Sequence, residues 1–128
     1  MSSPKRRQRT KVVLTDRAVD NLREIESYSV QQWGRKTADK YLDHIQAALD
    51  RLRDHPDLLL PDVDASPAIL FYRVQKHVLV CTEIEAGLIV LTVFHTSMDL
   101  PARLAKLEPQ LMAEAAFLQR KLNTQRPG

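Results

Sequence analysis

The sequence predicts an α+β fold in the order β-α-α-β-β-β, with one or more helices added at the C-terminus. Three observations predict it. Two apolar stripes at helical spacing lie back to back between residues 16 and 55. A Pro- and Asp-rich break, "PDLLLPDVDASPA", follows them. Beyond it, three β-branched runs are separated by connections of two and three residues, the lengths that join antiparallel strands.

Each element has a local cause. "RTKVVLT" reads as a short strand that ends where Thr15 and Asp16 offer a helix N-terminus. Ala18, Leu22, Ile25, Ser29 and Trp33 then recur every three or four residues, and Gly34 closes that helix. Tyr28 and Trp33 read as contacts of the core or of the helix pair. Ala38, Tyr41, Leu42, Ile45, Leu49 and Leu52 form the stripe of a second helix, ended at His55-Pro56 because proline cannot continue it. The short connection makes the pair an antiparallel helical hairpin. The Pro/Asp segment reads as a loop.

The strands are Ile69–Val74, His77–Ile84 and Leu88–His95, with Glu85-Ala86-Gly87 as a three-residue hairpin loop and Gly87 as its left-handed position. That loop sets Ile84 opposite Leu88 and His77 opposite His95. One face then carries His77, Leu79, Cys81, Ile89, Leu91, Val93 and His95; the other carries Val78, Val80, Ile84, Leu88, Val90 and Phe94. Both are apolar, so both need cover. The hairpin covers one. The other falls to the C-terminal segment or to another chain. That segment starts at Asp99 as N-cap, with Pro101 in its first turn, and Pro109 is expected to kink or divide it. Leu104, Leu107, Leu111, Met112, Ala115, Leu118 and Leu122 give it an apolar side.

The 128 residues suffice for one domain with a sizeable core. Residues 1–8 read as a basic arm, 9–122 as a single domain with its helical extension, and 123–128 as a loose tail. The single Cys81 excludes an internal disulfide and any paired-cysteine metal or redox motif, and it reads as a small buried hydrophobe. No apolar run approaches the roughly 20 residues of a membrane span, and no apolar stretch follows the charged N-terminus. A cytoplasmic protein is expected. Net charge is +3, but five of the 19 basic residues and none of the 16 acids fall within residues 1–11. The remainder holds 14 basic against 16 acidic residues, a body poorly suited to grip a nucleic-acid backbone. His44 and His55 are not spaced as a metal pair, and His77 with His95 lacks an evident third ligand, so neither metal nor cofactor is expected.

The order of elements, together with "LTDRAVDNLREIESYSVQQWG", "TADKYLDHIQAALDRLRDHP", "RVQKHVLV" and a His95–Asp99 ending, resembles the RelE/ParE superfamily of bacterial toxins across roughly residues 9 to 107. The His-then-acid ending resembles ParE-like, plasmid-stabilisation members. The resemblance implies the toxin half of a type II toxin–antitoxin module, with a cognate antitoxin as partner. ParE-like members poison DNA gyrase without established catalytic residues; RelE-like members cut mRNA in the ribosome. In those nucleases an Arg directly follows the central-strand His and a Tyr the last-strand His. Here Val78 and Thr96 stand in those places, and the preceding loop, often basic, holds Asp57, Asp62 and Asp64.

The expectation is therefore a ParE-like toxin that acts by protein binding, with DNA gyrase as candidate target and Arg73, His95 and Asp99 as partner-binding residues. It would assemble as a homodimer or as a toxin–antitoxin hetero-oligomer. The alternative is an mRNA endoribonuclease acting on the ribosome through His77, His95 and Tyr72, which share a face. A second alternative is a non-toxic binding module with the same fold. Asp99 reads first as a helix cap, and Arg73 points to the opposite face from the histidines.

Overall fold

The computed structural model describes residues 10–61 and 66–125. The whole of the expected basic arm, residues 1–8, lies outside them, together with Asp62, Asp64 and residues 126–128 of the expected tail.

The chain runs β1 (Lys11–Leu14), α1 (Asp16–Trp33), α2 (Arg35–Asp54), a 3-10 turn (Pro56–Leu58), β2 (Leu60–Pro61), β3 (Leu70–Val74), β4 (His77–Ile84), β5 (Gly87–His95) and α3 (Leu100–Gln125). The sheet has the order β1-β5-β4-β3-β2, with β1 parallel to β5 and the other pairs antiparallel. The meander is as expected. The segment read as a loop contributes the 3-10 turn and a two-residue edge strand, because Leu60 and Pro61 lie alongside Phe71 and Leu70.

Two caps turn the chain between elements. Thr15 accepts the N–H of Ala18 at 3.1 Å and starts α1. Gly34, at φ +89°, both ends α1 and opens α2, a left-handed position that favours glycine. The hairpin packs on one face of the sheet through Ile45, Ala48, Leu49 and Leu52 against Leu79, Cys81, Leu88 and Val90. Burial pushes the Cys81 thiol up to about 12, so it is an inert core residue.

The second face is covered in cis. Leu104, Leu111 and Ala115 of α3 are buried with Ile69, Val78, Val80, Ile89, Leu91 and Phe94. Pro109 does not divide α3, which runs unbroken to Gln125. The proline only withholds the N–H that Ala105's carbonyl would accept, on an exposed stretch of helix. The helix also outruns its expected end at 122, where the Thr124 hydroxyl bonds the Arg120 carbonyl.

The expected register holds for His77 to Val80 and then fails by one. His77 faces His95 and Val80 faces Thr92, but Cys81 faces Val90 and Ile84 faces Gly87. The hairpin loop is the two residues Glu85-Ala86, and a bulge at Leu91 absorbs the difference. Because side chains alternate every residue, the bulge reverses which face the first half of β5 presents. Leu88 and Val90 therefore meet the helical hairpin, and Ile89 and Leu91 meet α3, the reverse of the sequence assignment. Gly87 is not a loop residue either. It opens β5 at φ +156°, and a Cβ there would lie 2.0 Å from the carbonyl oxygen of Lys11. Glycine is required so that β1 can pair.

Candidate functional site

The site begins where β1 ends. Past Leu14 the outer edge of β5 has no strand beside it, and α1 supplies the missing partners. The Thr15 hydroxyl donates to the Leu91 carbonyl at 3.0 Å, and Asn21 Oδ1 accepts the N–H of Val93 at 3.0 Å and the Thr92 hydroxyl at 2.6 Å. These contacts seat α1 over the C-terminal half of β5. Only small residues, Ala18 and Ser29, are buried on α1, so the helix lies close to the sheet. Tyr28 and Trp33 do not fit beneath it. They stand 57% exposed, edge to face with ring centres 5.8 Å apart, and are not the core contacts the sequence suggested.

His77 at the start of β4 and His95 at the end of β5 are direct cross-strand partners, their ring centres 5.0 Å apart and nearly perpendicular. The Tyr41 oxygen of α2 accepts the Lys76 N–H at 3.1 Å, so its own hydrogen goes to His77 Nδ1. His95 Nδ1 accepts the N–H of Ser97 at 3.0 Å. Each imidazole thus has its basic nitrogen occupied and carries its proton on Nε2. In that tautomer both rings offer an N–H donor to a partner. Burial, and then the Coulombic interaction with neighbouring His95, hold His77 far below the ordinary 6.5, at about 4, so it is neutral at physiological pH. Burial also raises the Tyr41 phenol, an effect partly opposed by the Lys76 N–H.

A groove of about 420 Å³ lies over this pair. Val93, His77 and His95 lie on its sheet side, α1 provides Asn21, Ile25, Tyr28 and Trp33, and α3 provides Arg103 and Leu107. Arg17, at one edge, is held by Glu114 of α3 through two hydrogen bonds of 2.9 Å; that contact raises the Arg17 pKa and lowers that of Glu114. Six large hydrophobic side chains are exposed among the described residues, and three of them, Tyr28, Trp33 and Met98, line this one groove. Such a concentration marks a surface built to be covered.

The residues singled out in the sequence are distributed over three places. His77 and His95 line the groove. Tyr72 shares their face, but its hydroxyl accepts from Arg51 at 3.0 Å and it does not line the groove. Arg73 lies on the opposite face, in a second groove of about 400 Å³ with Leu60, Phe71 and Leu104, its Nε 3.4 Å from the Gln75 carbonyl. Asp99 caps α3, accepting the Ala102 N–H at 3.3 Å, while its backbone carbonyl accepts from Arg103. Val78, where nuclease relatives carry arginine, is buried under α3, and Thr96 is tied through its N–H to the Lys76 carbonyl at 2.8 Å.

Sequence reasoning missed Tyr41, Asn21 and Arg103 as site residues. Tyr41 was absorbed into the helix stripe. Asn21, a polar residue next to that stripe, was the available signal for a side chain serving an open sheet edge. Among the described residues no three His, Cys, Asp or Glu side chains group as a metal site, and no helix is long and apolar enough to cross a membrane.

Comparison with known proteins adds a family. Residues 12–100 match the family described as "ParE toxin of type II toxin-antitoxin system, parDE". Among solved structures, the fold is similar to a chain of the "Chromosomal ParDE TA system from P. aeruginosa", with a TM-score of 0.61 at 13% identity, covering 69% of this chain and 97% of that one. No curated protein matches.

Proposed function

This chain belongs to the ParE toxin family of type II toxin–antitoxin systems, and we propose that it acts by binding a protein target, with no chemistry of its own. In this reading a cognate antitoxin neutralises it by laying a segment in the groove between α1 and the start of α3, and DNA gyrase is the candidate target. The observation that carries it is the groove itself. Its sheet side is apolar apart from two imidazoles that present N–H donors and the Thr92 hydroxyl already bonded to Asn21, and exposed aromatics form its rim. Protein interfaces use such surfaces: an aromatic anchor, an apolar centre and polar edges. The reading is also supported by what flanks the histidines. Val78 and Thr96 offer neither a cation for a phosphorane nor a group acidic enough to serve as a general acid near neutral pH.

Induction of the chain in a bacterial host, with and without the neighbouring small reading frame, tests this. The expected result is growth arrest with a DNA-damage response, intact mRNA, and relief on co-expression. Codon-positioned mRNA cuts that disappear in His95→Ala would overturn it in favour of a ribosome-dependent nuclease.

A further inference from the structure

The family match ends at Leu100, the first residue of α3. One wall of the groove is therefore built from residues beyond the family's extent. Arg103 and Leu107 project from the first two turns of α3 toward the aromatic wall of α1, and both line the groove. Their positions are fixed rather than loose. Asp99 caps the helix they stand on, Leu104 between them is buried against the sheet, and the Arg17–Glu114 bond clamps the same helix to α1 two turns further along.

The charges of the groove define what it takes. Arg17 is neutralised by Glu114. Lys76 and Arg103 line the groove with exposed side chains and have no ion-pair partner among the described residues; Glu24 is the one acid lining it. The surplus is positive, whereas the chain beyond its first 11 residues has more acids than bases. His77 and His95 add two N–H donors and no acceptor. Every polar group free to bind a partner on the sheet side, and two of the three charged ones at the edge, seek oxygen acceptors.

We infer that Arg103 and Leu107 are specificity determinants, which select an amphipathic helical segment with an apolar face and an acidic edge. The apolar face covers Ile25, Trp33 and Leu107, and the acidic edge meets Arg103 and Lys76. This inference rests on the groove being the antitoxin seat, and it places the discrimination among antitoxins in the part of the chain beyond the family match.

Trp33 is the only tryptophan of the chain and stands on the groove, so its emission reports occupancy directly. The probes are two synthetic amphipathic peptides of about five helical turns with identical leucine faces, one with glutamate and one with lysine on the polar side. Titrated into the full chain, the glutamate peptide is expected to shift Trp33 emission at about fivefold lower concentration, and added salt is expected to narrow the gap. Arg103→Glu should reverse the preference and Arg103→Gln should bring the peptides near parity. Leu107→Gln should weaken both equally. Both side chains changed are at least partly exposed, and far-UV circular dichroism confirms that each of the three variants is folded. Equal binding of both peptides to the unaltered chain, or an unchanged preference in folded Arg103→Glu, overturns the inference. The toxin reading is judged separately by induction. A harmless chain that shows the reversal keeps the groove chemistry and loses the toxin assignment; a toxic chain without the reversal keeps the assignment and loses this inference.

Discussion

Lowering the pH should unfold this protein partly through one side chain, His77. Its pKa in the folded state is about 4 against an ordinary 6.5. Between those values the unfolded chain takes up a proton that the folded chain refuses, so acid favours unfolding. The stabilising contribution is complete above pH 6.5 and is lost as the pH falls toward 4. A gap of about 2.5 in pKa corresponds to at most about 3.4 kcal/mol. His77 is half-buried, so solvent screening reduces this to roughly 1–2 kcal/mol. The assay is urea unfolding at a series of pH values between 7 and 4 for the unaltered chain and for His77→Gln, whose amide can still accept the Tyr41 hydroxyl but does not titrate. Carboxylate titrations are common to both proteins and cancel in the difference. The unaltered chain should lose about 1–2 kcal/mol more than the variant across that window. Equal losses, or an NMR titration that puts the His77 ring near 6.5, would refute the claim that burial and the Coulombic interaction with His95 keep this imidazole neutral.

Two further substitutions test the frame around the site. Gly87→Ala places a methyl 2.0 Å from the Lys11 carbonyl oxygen, so β1 must withdraw from β5. Lost ladder hydrogen bonds at about 1 kcal/mol each, with an alanine held at positive φ, should cost about 3 kcal/mol in urea unfolding, with faster amide exchange at Val12 and Val13; a cost below about 1 kcal/mol would remove the close-approach argument. Asp99→Ala removes the cap bond to Ala102 and should cost about 1 kcal/mol in a thermal melt, while Asp99→Asn should restore most of it.

The elements that were legible in the sequence are those with a local cause. Thr15, Gly34 and His55-Pro56 punctuate the helical hairpin by backbone chemistry, and the alternation of β-branched residues marks the meander. The pairing of His77 with His95 was legible from a hairpin and a count, although it holds only because two departures from that count cancel. The face assignment of β5 was not. A hairpin loop shorter by one residue and a bulge at Leu91 compensate each other, so the open end of the pairing agrees while the half next to the hairpin is reversed. No residue of "LIVLTVFH" distinguishes the two arrangements by composition, since both faces are buried. Gly87 carried the signal, but its cause is non-local: the Lys11 backbone, 76 positions away, occupies the space of its Cβ.

The site was less legible than the fold because its chemistry depends on which atoms are already bonded. From the sequence, two histidines on one face offer proton transfer as the alternative to a structural or partner-binding role. In the structure a phenol from α2 and an amide from the following turn occupy both Nδ1 atoms, and neither contact follows from the spacing of His77 and His95. The cover of the sheet decides the rest. An apolar stripe at the C-terminus could have lain on its own sheet or on another chain, and a free second face would itself have been the natural place for a partner. Because α3 buries Leu104, Leu111 and Ala115 there, most of that face is covered, leaving the groove beside Arg73. The exposed apolar surface that remains is concentrated at Tyr28, Trp33 and Met98, beside the first turns of the same helix. On the proposed reading α3, by covering most of one face, leaves a partner the groove at its own N-terminal end, where Arg103 and Leu107 meet it.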